Sequence, residues 1–263
     1  MPPSATIRSV KISAVIIARD EEEKIGDAIR SVSWADEVLV IDSESTDRTR
    51  EIAEQLGARV IVNSWPGFAA QKQFGVNAAA RDWIVSLDAD ERVSAELREE
   101  ISRLADVPEE SLAAGYRIPR LTFYVGQPVR HGGWYPDHQL RFFDRRRGSW
   151  GTRVIHESWT VNASERVENL NADIHHYSID SLEQHDELLR TRYAPLGARQ
   201  LYENGRRTSR LKMAMAGPIA FLRAYIFRAG FLDGSTGWHI ARFAGKHDRL
   251  KHELLMQLQN EGS

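Results

Sequence analysis

Apolar residues over the first ninety positions alternate between two spacings. Residues 11–18 (KISAVIIA) form a continuous apolar run rich in β-branched side chains, the pattern of a strand covered on both faces. Ile25, Ala28, Ile29 and Val32 then fall at i, i+3, i+4 and i+7, which predicts an amphipathic helix. Residues 37–41 (EVLVI) read as a second strand. Ser45 or Thr46 is placed to cap a helix that carries Ile52, Ala53 and Leu56 and stops at Gly57. Residues 59–62 read as a third strand, 67–80 as a helix and 83–87 (WIVSL) as a fourth strand. This β-α-β-α-β-α-β order predicts a parallel sheet with right-handed crossovers, which binds ligands beyond the carboxyl ends of its strands.

The pattern then changes. Ser94 caps a predicted helix over 94–104. Between 115 and 177 the chain breaks into short strands interleaved with Gly, Pro and aromatic residues, an α+β continuation. Residues 181–204 read as a helix, and two further helical stretches after Thr208 are interrupted near Asp233-Gly234. No internal repeat or low-complexity tract is present.

Composition narrows the class. The chain has 263 residues, 42% hydrophobic and 27% charged, which excludes a mostly disordered protein and permits a sizeable core. With no cysteine, disulfides, thiolate metal sites and cysteine nucleophiles are excluded, as suits a reducing compartment. The N-terminal apolar run ends in charge without a small-residue cleavage site, so it reads as a buried strand and not as a signal peptide. The longest apolar run, 213–222, contains Gly217 and Pro218 and stops at Arg223, well short of the roughly 20 residues a membrane-spanning helix needs.

The net charge of −2 conceals an asymmetry: ten Lys/Arg and two acids lie between Arg206 and Lys251. Cations interleaved with apolar and aromatic residues (RRTSRLKMAMAGPIAFLRAYIFRAGF) suggest an interfacial helix on an anionic membrane, with Met213, Met215, Ile219, Phe221, Leu222, Tyr225 and Phe227 at the headgroup boundary. No RNA-binding sheet signature, helix-turn-helix pattern or zinc finger accompanies the charge, so nucleic acid is not an expected partner.

Candidate chemistry sits at the strand ends. Strand one ends in Arg19-Asp20-Glu21, strand two in Asp42, and strand four in Asp88-Ala89-Asp90. Each acid alone is as readily a turn or helix cap. Three at one sheet edge point to ligand binding, and Asp-x-Asp after an apolar strand supplies hard oxygens for Mg²⁺ or Mn²⁺.

The segments VIIARDEE, EVLVIDSESTDRT and DWIVSLDADERV, spaced as strands of one sheet, resemble the inverting family 2 glycosyltransferases of the GT-A fold. Further segments resemble the bacterial lipopolysaccharide-core β-1,4-glucosyltransferase group: NSWPGFAAQKQFGVNAAARDWIVSLDADE, HGGWYPDHQLRFF, VIHE and FLRAYIFRAGFLDGSTG. The resemblance covers about residues 11–255. It implies a Rossmann-like α/β nucleotide-sugar half over 1–110, an α+β acceptor half over 111–180, and a basic, membrane-associating helical region over 181–263.

The resemblance also implies roles. Asp42 would meet the uracil ring, and Asp88 the ribose and metal. Asp90 would bind Mg²⁺ or Mn²⁺ directly. Asp137 would be the general base. Arg19, Gln71 and Lys72 are candidate contacts to the nucleotide sugar; for Lys72 the alternative is a solvated surface lysine, and for Arg19 a salt bridge to its acidic neighbours. Trp134 and Tyr135 would form a sugar-stacking wall. Arg141 would orient a carboxylate or touch phosphate, and Gln139, Arg141 and Phe143 are expected on one strand face. His156 would complete the metal shell or contact the acceptor, in competition with His175 and His176, and Glu157 accompanies it on the acceptor side. Relatives often carry Asn where this chain has Asp20, which leaves that side chain without a clear role.

The implied activity is metal-dependent inverting transfer of a sugar, with UDP-glucose as donor and a lipid-linked glycan such as the heptose-containing inner core of lipopolysaccharide as acceptor. It places the protein peripherally on the inner face of the cytoplasmic membrane. A nucleotidyltransferase is one rival, but residues 18–22 lack the glycine-rich phosphate loop of that class, with no glycine before Gly26. The other is a transferase-like binding module without activity, which intact Asp42, Asp88, Asp90 and Asp137 argue against.

Overall fold

The computed structural model describes residues 10–151 and 158–261. The chain forms two compact units, one of residues 1–120 and 137–176 and one of 121–136 and 177–263.

The first unit begins with the strands and helices expected: β1 (Ile12–Ala18), α1 (Ile25–Ser31), β2 (Glu37–Asp42), α2 (Thr49–Gln55), β3 (Arg59–Val62), α3 (Phe68–Ala78) and β4 (Trp83–Asp88). Strands β3, β2, β1 and β4 are neighbours in that order and all parallel. Successive β1 residues serve opposite faces, as the period of two requires. Ile12, Ala14 and Ile16 join Ile25, Ala28 and Ile29 of α1 in one core. Val15 and Ile17 join Val76 of α3 in another. Helix α3 lies close on the sheet because Gly75 has no side chain: a Cβ there would sit 2.6 Å from Val15 Cγ1 and 3.0 Å from Ile41 Cγ1. That approach carries Gln71 and Lys72, one turn earlier, into buried positions.

Helix α2 starts differently from expectation. Its N-cap is Arg48, without a side-chain cap. The Ser45 hydroxyl instead accepts from the Asp20 N–H (2.9 Å), while the Thr46 N–H and hydroxyl both donate to Asp20 Oδ1 (2.7 and 3.1 Å). These groups tie the loop after β2 to the loop after β1.

Next come β5 (Glu91–Val93), α4 (Ala95–Ala105), β6 (Gly115–Tyr124), the short β7 (Gln127–Pro128), β8 (Asp137–Asp144), β9 (Gly148–Trp150), β10 (Trp159–Val161), β11 (Val167–Asn169) and β12 (Ile174–Ile179). Beyond β4 the sheet becomes mixed, with β11 parallel to β6, while β9 and β10 pair with each other in a separate two-stranded sheet. Ser94 caps α4 as expected, accepting from the Leu97 N–H at 3.1 Å. From β4 the sheet runs β8, β6, β12, β5, and β8 is antiparallel to both β4 and β6.

The second unit holds α5 (Leu182–Leu188), α6 (Ala194–Glu203), α7 (Arg210–Leu222) and α8 (Gly234–Glu261). The helix expected over 181–204 is thus two, joined by a π-type turn at Leu189–Tyr193. Helices α7 and α8 cross at glycines: a Cβ on Gly217 would lie 3.1 Å from the Gly245 carbonyl oxygen, and one on Gly245 3.0 Å from that of Gly217. Among the described residues, no helix is long and apolar enough to cross a membrane.

Candidate active site

Parallel pairing fixes where the strand-end acids stand. Asp42 pairs with Ala18 on one side of β1, and Asp88 pairs with Ile17 on the other. The two carboxylate-bearing residues therefore share the C-terminal edge of the sheet, two strand spacings or about 10 Å apart.

Asp42 is fully buried. Its Oδ2 accepts from the Ser45 N–H at 2.9 Å and lies 3.7 Å from Arg50 Nε. Its Oδ1 is buried and has no hydrogen-bond partner. An unpaired buried acceptor costs roughly 1–3 kcal/mol. Nearby, the fully buried Gln71 amide donates to Ser43 Oγ at 2.9 Å and accepts from the Asn63 side chain at 2.7 Å. Gln71 therefore braces the loop that follows Asp42.

Lys72 is buried, not a solvated surface lysine. Its ammonium lies 2.8 Å from Asp88 Oδ1 and 5.1 Å from the centre of the Trp150 ring. Arg141 Nη2 donates to Asp88 Oδ2 at 2.9 Å. Burial pushes the Asp88 carboxyl up, but Lys72 and Arg141 overcome it and hold the group far below the usual carboxylate range. Asp90 has a different environment: His176 Nε2 lies 3.3 Å from its Oδ2.

Arg141 owes its position to a β-bulge. Leu140 of β8 faces Arg117, yet Phe142 faces Tyr116, so Arg141 is an extra residue without a cross-strand partner. The expected alternation fails here, and Leu140 and Phe143 join one core while Phe142 joins the other. Arg141 Nη2 also donates to Glu91 Oε1 at 2.9 Å. Its buried Nε and Nη1 have no partner. Burial works against its positive charge, but Glu91 and Asp88 raise the pKa well above the ordinary arginine value.

Asp137 opens β8 directly opposite Arg120 of β6. Arg120 donates from Nε and Nη2 to Asp137 Oδ2 at 3.0 and 2.6 Å, and Gln139 donates to Oδ1 at 2.7 Å. Arg120 Nη1 also reaches Glu91 Oε1 at 3.1 Å.

Asp42, Gln71, Lys72, Asp88, Asp90, Asp137 and Arg141 all belong to the first unit. Arg19 is exposed, 3.8 Å from its neighbour Asp20. Asp20 has φ +51°, a left-handed conformation that Asn and Asp tolerate best, and it serves as a loop tie. Trp134 and Tyr135 belong to the second unit. Trp134 meets Tyr124 edge-on at 6.0 Å, and Arg130 lies 5.4 Å from the Tyr135 ring centre. His156 and Glu157 lie outside the described residues. Glu91 and Arg120 were not singled out by sequence reasoning, and Gln139 was placed there only on a strand face, without a role. The third acid of Asp88-Ala89-Asp90-Glu91 was a visible signal for Glu91, whereas Arg120 required the β6–β8 register.

Hard oxygens at Asp90 suit Mg²⁺ or Mn²⁺, while both Asp88 oxygens already face cations. Among the described residues, no cluster of three or more His, Asp or Glu side chains forms a complete metal shell. The donor set thus fits an ion that takes one or two carboxylates and completes its shell with substrate phosphate and water.

Residues 13–172 match the family described as glycosyl transferase family 2. An uncharacterized glycosyltransferase of Rickettsia typhi is 33% identical over 236 residues, covering 87% of this chain and 80% of its own. The lipopolysaccharide core biosynthesis glycosyltransferase LpsC of Rhizobium meliloti is 29% identical over 245 residues, 88% of this chain and 89% of its own. Glucosyl-3-phosphoglycerate synthase from Mycobacterium tuberculosis, solved with Mn²⁺, UDP and glucosyl-3-phosphoglycerate, is 28% identical over 44% of each chain, with a TM-score of 0.35. The parallel α/β half with its antiparallel extension is the GT-A architecture expected from the sequence. The family match extends over more than half of the sequence, and a relative one-third identical spans most of both chains: the chain belongs to glycosyl transferase family 2.

Proposed function

We propose that this glycosyltransferase moves a sugar, with inversion, from a UDP-linked donor to a lipid-linked surface glycan. The observation that carries the donor reading is Asp42 Oδ1, a buried carboxylate oxygen without a partner at the ligand-binding edge of the sheet. A uracil ring presents an N–H there, and a carboxylate is an acceptor only. Arg141 Nε and Nη1, buried and unpartnered, are donors suited to the oxygens of a diphosphate. UDP-glucose is the donor proposed. The heptose-containing inner core is the acceptor proposed, in keeping with the role named for LpsC.

In the transfer, the acceptor oxygen bonds to the anomeric carbon as the bond from that carbon to the diphosphate oxygen breaks. The nucleoside diphosphate leaves with the electron pair, and the hydroxyl proton passes to Asp137. Arg120 occupies Oδ2 twice and Gln139 occupies Oδ1 once, so the lone pair left for the proton is on Oδ1. General-base assistance of this kind is typically worth about 10²–10⁴ in rate. Attack opposite the leaving group inverts the centre, and no covalent intermediate is required. Asp90 would hold Mg²⁺ or Mn²⁺, which when bound supplies Lewis-acid stabilisation of charge on the departing diphosphate.

The lipid-linked acceptor fits a membrane-facing second unit. Leu211, Met215, Ile219, Leu222 and Ile226 are exposed at steps of four, four, three and four, a single helical face, with exposed Arg210, Lys212, Arg223 and Arg228 around it. We place the protein on the inner face of the cytoplasmic membrane.

Purified protein is screened with Mn²⁺ or Mg²⁺ against UDP-, GDP-, ADP- and CMP-sugars, reading nucleotide release and thermal shift. Metal-dependent stabilisation by UDP and turnover of one UDP-sugar, with turnover reduced at least about 100-fold in Asp90→Ala, is expected. Response to a non-uridine nucleotide alone, or none at all, rejects the donor reading.

A further inference from the structure

Glu91 lies outside the roles assigned above, yet its carboxylate is fully buried and used at three points. Oε2 accepts from the Asp88 N–H at 3.0 Å. Oε1 accepts from Arg141 Nη2 at 2.9 Å and from Arg120 Nη1 at 3.1 Å. Each of those arginines holds one of the site's acids: Arg141 donates to Asp88, and Arg120 donates twice to Asp137. Lys72 closes the far end on Asp88.

The result is a chain of alternating charge: Lys72, Asp88, Arg141, Glu91, Arg120, Asp137. Its six groups come from α3, β4, β5, β6 and β8. Three cations and three anions balance, which is how buried charges persist despite their desolvation cost. Among the described residues, Glu91 joins the half of this series that holds Asp88 to the half that holds Asp137. A connected network of charge-assisted hydrogen bonds fixes geometry more sharply than its separate pairs.

We infer that Glu91 is a positioning residue: anchored by Arg141 and the Asp88 N–H, it sets the base Asp137 through Arg120 and so holds it at a constant distance from the Asp88 side of the site. This rests on the reading of Asp137 as the base. Transfer requires the acceptor oxygen, the anomeric carbon and the base to be aligned together, and displacement of the order of 1 Å costs about 10²-fold in rate. Glu91 touches neither substrate nor proton in this assignment. The register makes the arrangement specific. Arg120 and Asp137 are direct cross-strand partners, while Arg141 reaches Glu91 from the bulge.

The test is a double-mutant cycle of Glu91→Gln and Asp137→Asn, reading kcat and KM for release of UDP from the UDP-sugar selected in the screen, with water as acceptor. Glu91→Gln in the wild-type background is expected to lower kcat about 10- to 100-fold while KM for the donor and the affinity for UDP stay within about threefold. In the Asp137→Asn background the same substitution is expected to cost less than about threefold, because there is no base left to position. Equal losses in both backgrounds, or a loss confined to KM, overturn the positioning role and leave the base assignment standing. Undiminished kcat in Asp137→Asn overturns the base assignment and the positioning role with it. Should Glu91→Gln fail to fold, Arg120→Gln keeps the Glu91–Arg141 pair and enters the same cycle with the same expected pattern.

Discussion

Asp42 and Asp88 occupy equivalent strand ends and differ in how their oxygens are engaged. Asp88 has a cation on each oxygen. Asp42 has the Ser45 N–H on Oδ2, with Arg50 Nε at 3.7 Å, and no hydrogen-bond partner on Oδ1. A carboxylate neutralised on both sides is suited to hold its surroundings in place, whereas one with a free buried oxygen is suited to receive a ligand. Substitution by Asn separates these functions. Asp42→Asn retains an oxygen for the Ser45 N–H but turns an N–H₂ toward the ligand, where uracil presents an N–H and cytosine a bare ring nitrogen. Charge-assisted hydrogen bonds contribute about 1.5–3 kcal/mol, so UDP affinity should fall roughly 10- to 150-fold and the preference for UDP over CDP should shrink. Titration calorimetry of both nucleotides measures this, with the melting temperature as the control for folding. An unchanged UDP affinity would remove Asp42 from the base-binding site.

At the scale of elements, the parallel strands were legible because a parallel sheet demands continuous apolar strands and short connections, and residues 11–18, 37–41 and 83–87 satisfy that demand. The acids at their ends followed. What was not legible depended on pairing between segments distant in sequence. Nothing near Arg141 announces a bulge, because it arises from the β6–β8 register. The cap expected at Ser45 is absent because its hydroxyl is taken by the loop after β1. In the second unit, α5 carries a group that tests how helices and strand fit together. His185 is buried, with Nδ1 2.8 Å from Tyr124 Oη and its ring 4.2 Å from that of Phe243 on α8. Burial pushes its pKa down to about 4 from 6.5; His247 acts in the same direction, and Asp186 opposes. The unfolded chain thus binds a proton between pH 6.5 and 4 that the folded chain refuses. The stabilisation is fully present above pH 6.5 and is lost as pH falls toward 4, by about 1.4 kcal/mol per unit and roughly 3 kcal/mol in all. Chemical denaturation at pH 7, 6 and 5 should show this decline, and His185→Gln, which has no ring to protonate, should decline less steeply. Parallel pH dependences would mean that the imidazole is not held neutral.

For the molecule as a whole, the second unit carries a surface that its own packing does not use. Helix α7 turns Gly217 and Ala220 inward, and beyond it Ala224 is buried too, while Phe221 and Tyr225 pack on Trp238 at 5.1 and 5.4 Å. Of the residues the sequence pattern placed at the lipid boundary, Phe221 and Tyr225 are taken up by this packing, while Met215, Ile219, Leu222 and Phe227 are exposed, Phe227 at 82%; Leu211 at 74%, Ile226, Phe231 and Leu232 are exposed as well. Exposed apolar side chains in a row, with arginines and a lysine around them, are what the proposed contact with an anionic membrane requires. Each cation near anionic lipid adds about 1 kcal/mol, screened by salt, whereas the apolar contribution is insensitive to salt. The two are therefore separable in co-sedimentation with vesicles. The protein should pellet with phosphatidylglycerol-containing vesicles at low salt and more weakly with pure phosphatidylcholine. Raising salt should weaken the first far more than the second. The double substitution Ile219→Asp and Leu222→Asp should lower vesicle binding at least tenfold while UDP affinity and melting temperature stay unchanged, since both residues point to solvent. If the variant binds vesicles as the wild type does, the stripe is not the membrane contact; if the wild type stays in the supernatant with anionic vesicles at low salt, the acceptor must reach the enzyme away from the bilayer.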